Sequence, residues 1–178
     1  MTTVKSTYPG SVPLISLLMA LMLLQSGCLR YSFTGVTIPA NVSTIYIPFF
    51  QDNSGSGLSN LSDQLNNALV NRFVNQTRLR LVSDPAQADI LMEGVINAYS
   101  NRPFSVAGDQ TASLNRVQVS VRASYQYADE NDPRWSKAFS GQAEYDPAVN
   151  PLDGELEAAS DAMQQIAQNM FNDSVGRW

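Results

Sequence analysis

Cys28 is the only cysteine in a chain of 178 residues that contains no histidine. These two counts decide most of the available chemistry. Without imidazole there is no histidine general base, no Ser-His-Asp triad and no His-ligated metal. A single thiol builds neither a thiolate metal site nor an internal disulfide. Serines are plentiful, but no G-x-S-x-G elbow presents one as a nucleophile. Gly55-Ser56-Gly57 lacks both the spacing and the lysine of a phosphate-binding loop. Asp129, Glu130 and Asp132 lie close together without the calcium-loop spacing and its terminal glutamate, so they read as a solvated turn. The residues therefore predict a protein that is not an enzyme and has no cofactor or metal site.

The thiol itself points elsewhere. An apolar run from Leu14 to Leu24 precedes it, followed by Gln25, Ser26 and Gly27. The run is too short to span a bilayer, which takes about 20 residues, and fits the core of a secretory signal. Lys5 is the only charge ahead of it. Ser26 and Gly27 are small, as cleavage requires, although Gln25 stands where lipoprotein boxes usually carry leucine. The expectation is a signal peptide at 1–27, removed, and one lipid-anchored domain at 28–178 with Cys28 acylated, palmitate among the chains. Each buried methylene adds about 0.8 kcal/mol of membrane affinity, so more than one chain anchors firmly. Acylation also removes a lone thiol that would otherwise be exposed to oxidation.

Basic residues are the remaining candidates. Arg102, Arg116, Arg122, Arg134 and Lys137 could meet an anionic lipid headgroup, because a guanidinium fork matches phosphate geometry. Ordinary solubility explains scattered surface charge equally well. The formal net charge is −5, which disfavours nucleic acid as a partner.

Hydrophobic residues make up 44 % of the chain, enough for the core of one domain. Ser43–Phe50 reads as a strand with Ile45 and Ile47 on one face and Pro48 near its end. Leu58, Leu61, Leu65, Ala68, Leu69 and Phe73 form a helical stripe, with Ser59 or Asn60 as cap and Asp63 in its first turn. Leu79–Val82 and Asp89–Tyr99 read as strands. In the second, Ile90, Met92, Ile96 and Ala98 share one face and Leu91, Val95 and Tyr99 the other, with Gly94 marking a bulge or close packing. Residues 101–113 read as a polar loop. Val117, Val119, Val121, Ala123, Tyr125 and Tyr127 alternate with polar residues, the pattern of a half-buried strand. Trp135–Tyr145 returns beside it as a hairpin. Leu156, Ala159, Met163, Ile166 and Met170 define a closing helix capped by Asp153 and ended by Gly176-Arg177-Trp178. The expected fold is an α+β two-layer sandwich: a mainly antiparallel or mixed sheet of four to five strands with two amphipathic helices on one face. The other face then carries Arg116, Gln118 and Arg122 and suits a wet docking surface.

The ordered series Gly27-Cys28, Tyr31-Ser-Phe-Thr-Gly35, Thr44-Ile-Tyr-Ile-Pro-Phe-Phe50, the helix ending at Phe73, Leu79-Arg-Leu-Val-Ser83, Ala88-Asp-Ile-Leu-Met-Glu-Gly-Val-Ile96, Arg116-Val-Gln-Val-Ser-Val121 and the closing helix resembles the LptE family of lipopolysaccharide-assembly outer-membrane lipoproteins. The resemblance covers most of the mature chain and implies a non-catalytic protein of the Gram-negative envelope. It implies a seat inside an LptD-type β-barrel translocon in the outer membrane, and help in delivering lipopolysaccharide to the cell surface. The resemblance implies contact with lipopolysaccharide through basic loop residues; no motif fixes which residue matches, and Arg102, Arg116 and Arg122 are the candidates for lipopolysaccharide or partner contact. Ile47-Pro48-Phe49 and Ala88-Asp89 with Gly94 also fit a second group, lipoproteins of the curli-secretion or peptidoglycan-synthase-activator type. The first strand begins about fifteen residues after Cys28, so the tether reaches at most about 50 Å.

Overall fold

Alternation and helical periodicity both survive in the computed structural model, which describes residues 38–104, 114–151 and 153–175. Cys28 and the run before it, the Tyr31–Gly35 segment, residues 105–113 and the Gly176-Arg177-Trp178 end lie outside the described residues. In chain order the elements are β1 (Thr44–Tyr46), β2 (Gln51–Asp52), α1 (Leu61–Phe73), β3 (Arg80–Val82), β4 (Ile90–Phe104), β5 (Leu114–Tyr127), β6 (Trp135–Tyr145) and α2 (Asp153–Val175). Five strands follow the order β3-β1-β4-β5-β6, and the two-residue β2 pairs with β4 off that path. β1 runs parallel to β3 and β4, whereas β4, β5 and β6 are antiparallel. Both helices cover one face, giving the expected α+β two-layer sandwich with a mixed sheet.

The core lies between sheet and helices. Leu61, Leu65, Leu69 and Phe73, one helical turn apart, are all buried. Burying each contributes about 1.5–3 kcal/mol. From the sheet, Ile45, Ile47, Ile90, Met92, Ile96 and the odd-numbered residues Val117 to Tyr127 meet them. α2 presents Ala158, Ala159, Ala162 and Ala167 beside Met163, Ile166 and Met170. Its alanines permit a close approach: a Cβ on Gly141 of β6 would stand 2.1 Å from the Ala162 carbonyl oxygen. The rings of Phe73 and Phe171 meet edge to face at 5.2 Å and join the two helices.

Three expectations are corrected. The Ser43–Phe50 strand is interrupted after Tyr46. Pro48 cannot donate to the ladder, and between the pairs Tyr46–Leu91 and Gln51–Val95 the chain takes five steps against four on β4. The α1 cap is not a side-chain cap: Asn60 makes no capping hydrogen bond. Polar side chains of α1 instead serve the interrupted segment, where Ser62 Oγ donates to the Phe50 carbonyl (2.6 Å) and Asn66 Nδ2 to that of Ile47 (3.3 Å). Finally, Ala98 and Tyr99 exchange faces. The β4–β5 register slips between Ile96 and Ala98, so Asn97 is an extra residue on β4. Ala98 turns outward, and Tyr99 packs against the core and donates from its hydroxyl to Glu155 Oε1 (2.6 Å). Burial, reinforced by that bond, raises the Tyr99 pKa. Gly94 marks close packing: a Cβ there would lie 2.4 Å from the Phe50 ring.

Candidate functional site

The helix-free face of the sheet is where the arginine candidates sit. β5 turns its odd-numbered residues inward, so Arg116, Gln118, Ser120, Arg122, Ser124 and Gln126 point outward. β4 is longer than the sequence pattern suggested. It continues through Ser100, Arg102 and Phe104, which the register pairs with Gln118, Arg116 and Leu114. Residues 101–104 of the polar loop expected at 101–113 are therefore strand, and the rest of it lies outside the described residues. Asn101-Arg102-Pro103-Phe104 has no polar–apolar alternation and contains a proline, so the local pattern carried no signal for this extension.

Arg102 and Arg116 thus stand directly opposite each other on neighbouring strands, and Arg116 is in turn opposite Glu144 on β6. Like charges in register repel. Glu144 relieves the repulsion by accepting from both Nε (3.1 Å) and Nη2 (2.6 Å) of Arg116 at one carboxylate oxygen. The Arg116 guanidinium also lies over the Phe104 ring, 3.4 Å from its centroid. Arg116 is held from two sides, whereas Arg102 forms no ion pair among the described residues. The result is one row across three strands, Arg102–Arg116–Glu144, with an aromatic ring beside it. Sequence reasoning missed Phe104 and Glu144 as parts of this row.

Arg122 does not join them. It faces the same way, six residues further along β5 and hence roughly 20 Å away, where it is flanked in register by Val95 and Ala138. The other two basic candidates lie at the far end of the β5–β6 hairpin. Arg134 donates to both carboxylate oxygens of Glu130 (2.7 and 2.5 Å), and Lys137 pairs with Asp173 of α2. Donating these bonds to Glu130 raises the Arg134 pKa. Glu130 of the acidic turn is thus engaged by an arginine. The hollow beside these pairs, about 210 Å³ and lined by Tyr125, Tyr127 and Trp135, is bordered by cations already paired.

Chemically, the row on the open face can hold an anion at Arg102, with Arg116 adding a second fork once an anion competes with Glu144. Phe104 offers an apolar surface next to it. That combination fits an amphiphile carrying phosphate more than a free ion.

The family model for LptE, described as lipopolysaccharide-assembly, matches residues 42–174. No curated protein matches the sequence. Among solved structures, a protein of Xanthomonas campestris is similar at a TM-score of 0.54 and 12% identity, over 79% of this chain and 90% of that one. An uncharacterized lipoprotein B of Nitrosomonas europaea gives 0.52 and 13%, over 76% and 83%. A hypothetical protein of Chlamydia trachomatis gives 0.50 and 11%, over 74% and 92%. At such identities these likenesses establish the shared fold.

Proposed function

We propose, from the membership of this chain in the LptE lipopolysaccharide-assembly family, that it is an acylated outer-membrane lipoprotein which seats in an LptD-type β-barrel translocon and helps deliver lipopolysaccharide to the cell surface. The family is a non-catalytic lipoprotein family, and its role is lipopolysaccharide assembly. The observation that carries the reading is the extent of the family match, which takes in every described strand and nearly all of α2. Residues 1–27 are a signal peptide in this reading, and the mature domain starts at Cys28, which carries the acyl chains.

Two features of the open face support the finer statement. Its Ser and Gln side chains on β5 and β6 suit a hydrogen-bonded, wet interface with a large partner. Arg102 and Arg116 with Phe104 match a ligand that is both anionic and apolar. Arg122, being distant, belongs to partner contact or solubility and not to that ligand site.

Extraction of outer membranes with mild detergent tests the reading. Recovery of the chain with a β-barrel protein is the expected result, and recovery of a monomer without a barrel overturns it. A peptidoglycan synthase or a secretion pore in the same pull-down would favour the activator or secretion-accessory alternative. For the ligand, Arg102→Glu combined with Arg116→Glu should abolish most lipopolysaccharide binding; unchanged binding removes these residues from the site.

A further inference from the structure

Among the described residues β6 is the last strand of its sheet, and one row of its backbone N–H and C=O groups has no neighbouring strand there. Such a row is a template for pairing with another chain, and the hazard grows with length. On the other side of the sheet the outlying strands are short: β3 has three residues and β2 two. β6 has eleven. Its open-face residues Ser136, Ala138, Ser140 and Gln142 are small or uncharged, so no charge guards the middle of the edge.

A side chain of α2 does so instead. The Gln142 N–H donates to Gln165 Oε1 (3.2 Å), and Gln165 Nε2 donates to the Gln142 carbonyl (2.8 Å). One amide thus makes both bonds that a residue of an added strand would make. Gln165 is exposed, so core packing does not account for it. The close approach of Gly141 to Ala162 and the Lys137–Asp173 pair hold α2 at the distance this contact needs.

We propose that Gln165 is a guard of the β6 edge, standing in for a neighbouring strand and keeping the chain from pairing with a second copy of itself. Antiparallel pairing of two β6 edges about Gln142 is two-fold symmetric, so it closes on itself and needs no other protein.

The test uses the full chain in detergent, with hydrogen exchange at the Gln142 amide and sedimentation equilibrium for the protein mass. The wild-type amide should be protected and the protein monomeric. Gln165→Ala should speed exchange at Gln142 about tenfold in the monomer at low concentration and produce a dimer as concentration rises. Adding Gln142→Lys to Gln165→Ala should set two lysines directly opposite each other at the two-fold centre and restore the monomer. Unchanged exchange at Gln142, a Gln165→Ala protein that stays monomeric, or a dimer that persists with Gln142→Lys each overturn the proposal.

Discussion

Thr44 and Asp89 exchange hydrogen bonds in both directions: the Thr44 N–H donates to Asp89 Oδ2 (2.9 Å), and the Asp89 N–H donates to Thr44 Oγ1 (2.9 Å). The same carboxylate oxygen accepts from the Ser43 N–H (2.7 Å) and hydroxyl (3.2 Å). This clamp joins the start of β1 to the residue before β4. It sets the register of a parallel pair that has only two matched positions, Ile45–Ile90 and Tyr46–Leu91. A short parallel pair gains little from its own ladder, so a charged acceptor at its mouth matters.

The clamp makes stability depend on pH. The Ser43 N–H above all, opposed by partial burial and helped by Thr44, holds the Asp89 pKa below its ordinary 3.8. The folded state therefore binds the proton less readily than the unfolded state. The stabilisation is complete above the unfolded pKa and fades as pH falls through the lowered folded value. Asp89→Ala should cost about 1–3 kcal/mol at neutral pH. Urea midpoints measured from pH 7 downward should show this difference shrinking below pH of about 4.

Gly141→Ala should destabilise by about 1–3 kcal/mol or more, since the new methyl meets backbone and not a movable side chain. Thermal melts of this variant beside Gly57→Ala would separate the causes. Gly57 has open space around it but a φ of 76°, so its penalty is conformational alone.

Deletion of Asn97 should be tolerated better than deletion of Ser100. Asn97 is the extra residue of the bulge, and without it Ile96 still faces the core, Ala98 the solvent and Tyr99 the core. Deleting Ser100 would reverse every side chain from Asn101 to Phe104 relative to β5. Melting temperatures and the Tyr99–Glu155 hydrogen bond, followed by NMR, should order the two deletions in that way.

Glu144→Gln should strengthen lipopolysaccharide binding several-fold, because the carboxylate that occupies Arg116 is gone while Phe104 still orients the guanidinium. The gain should fall as salt is raised, as expected of exposed charge. Weaker binding in Glu144→Gln would mean that Arg116 needs its partner for position and is not an anion donor.

Side-chain types and their periods determined a good deal of this protein. The absence of histidine and the single cysteine excluded imidazole-based catalysis and histidine- or multi-thiolate-ligated metals before any fold was considered. The alternation from Val117 to Tyr127 and the spacing of Leu61, Leu65, Leu69 and Phe73 gave the buried faces correctly, because burial on one side imposes period 2 on a strand and about 3.6 on a helix. The order of short motifs gave the family.

What remained depended on partners far along the chain. Asn97 looks like any strand residue, and only its pairing with β5 reveals it as surplus and reverses Ala98 and Tyr99. Arg102 becomes a neighbour of Arg116 only through the same register, and Glu144 joins them only through the next. Gln165 reads as a solvated helix residue until β6 arrives beneath it. The physical reason is common to all of them. Local sequence carries the period of burial, whereas cross-strand register and edge contacts are set by residues that meet only when the sheet closes.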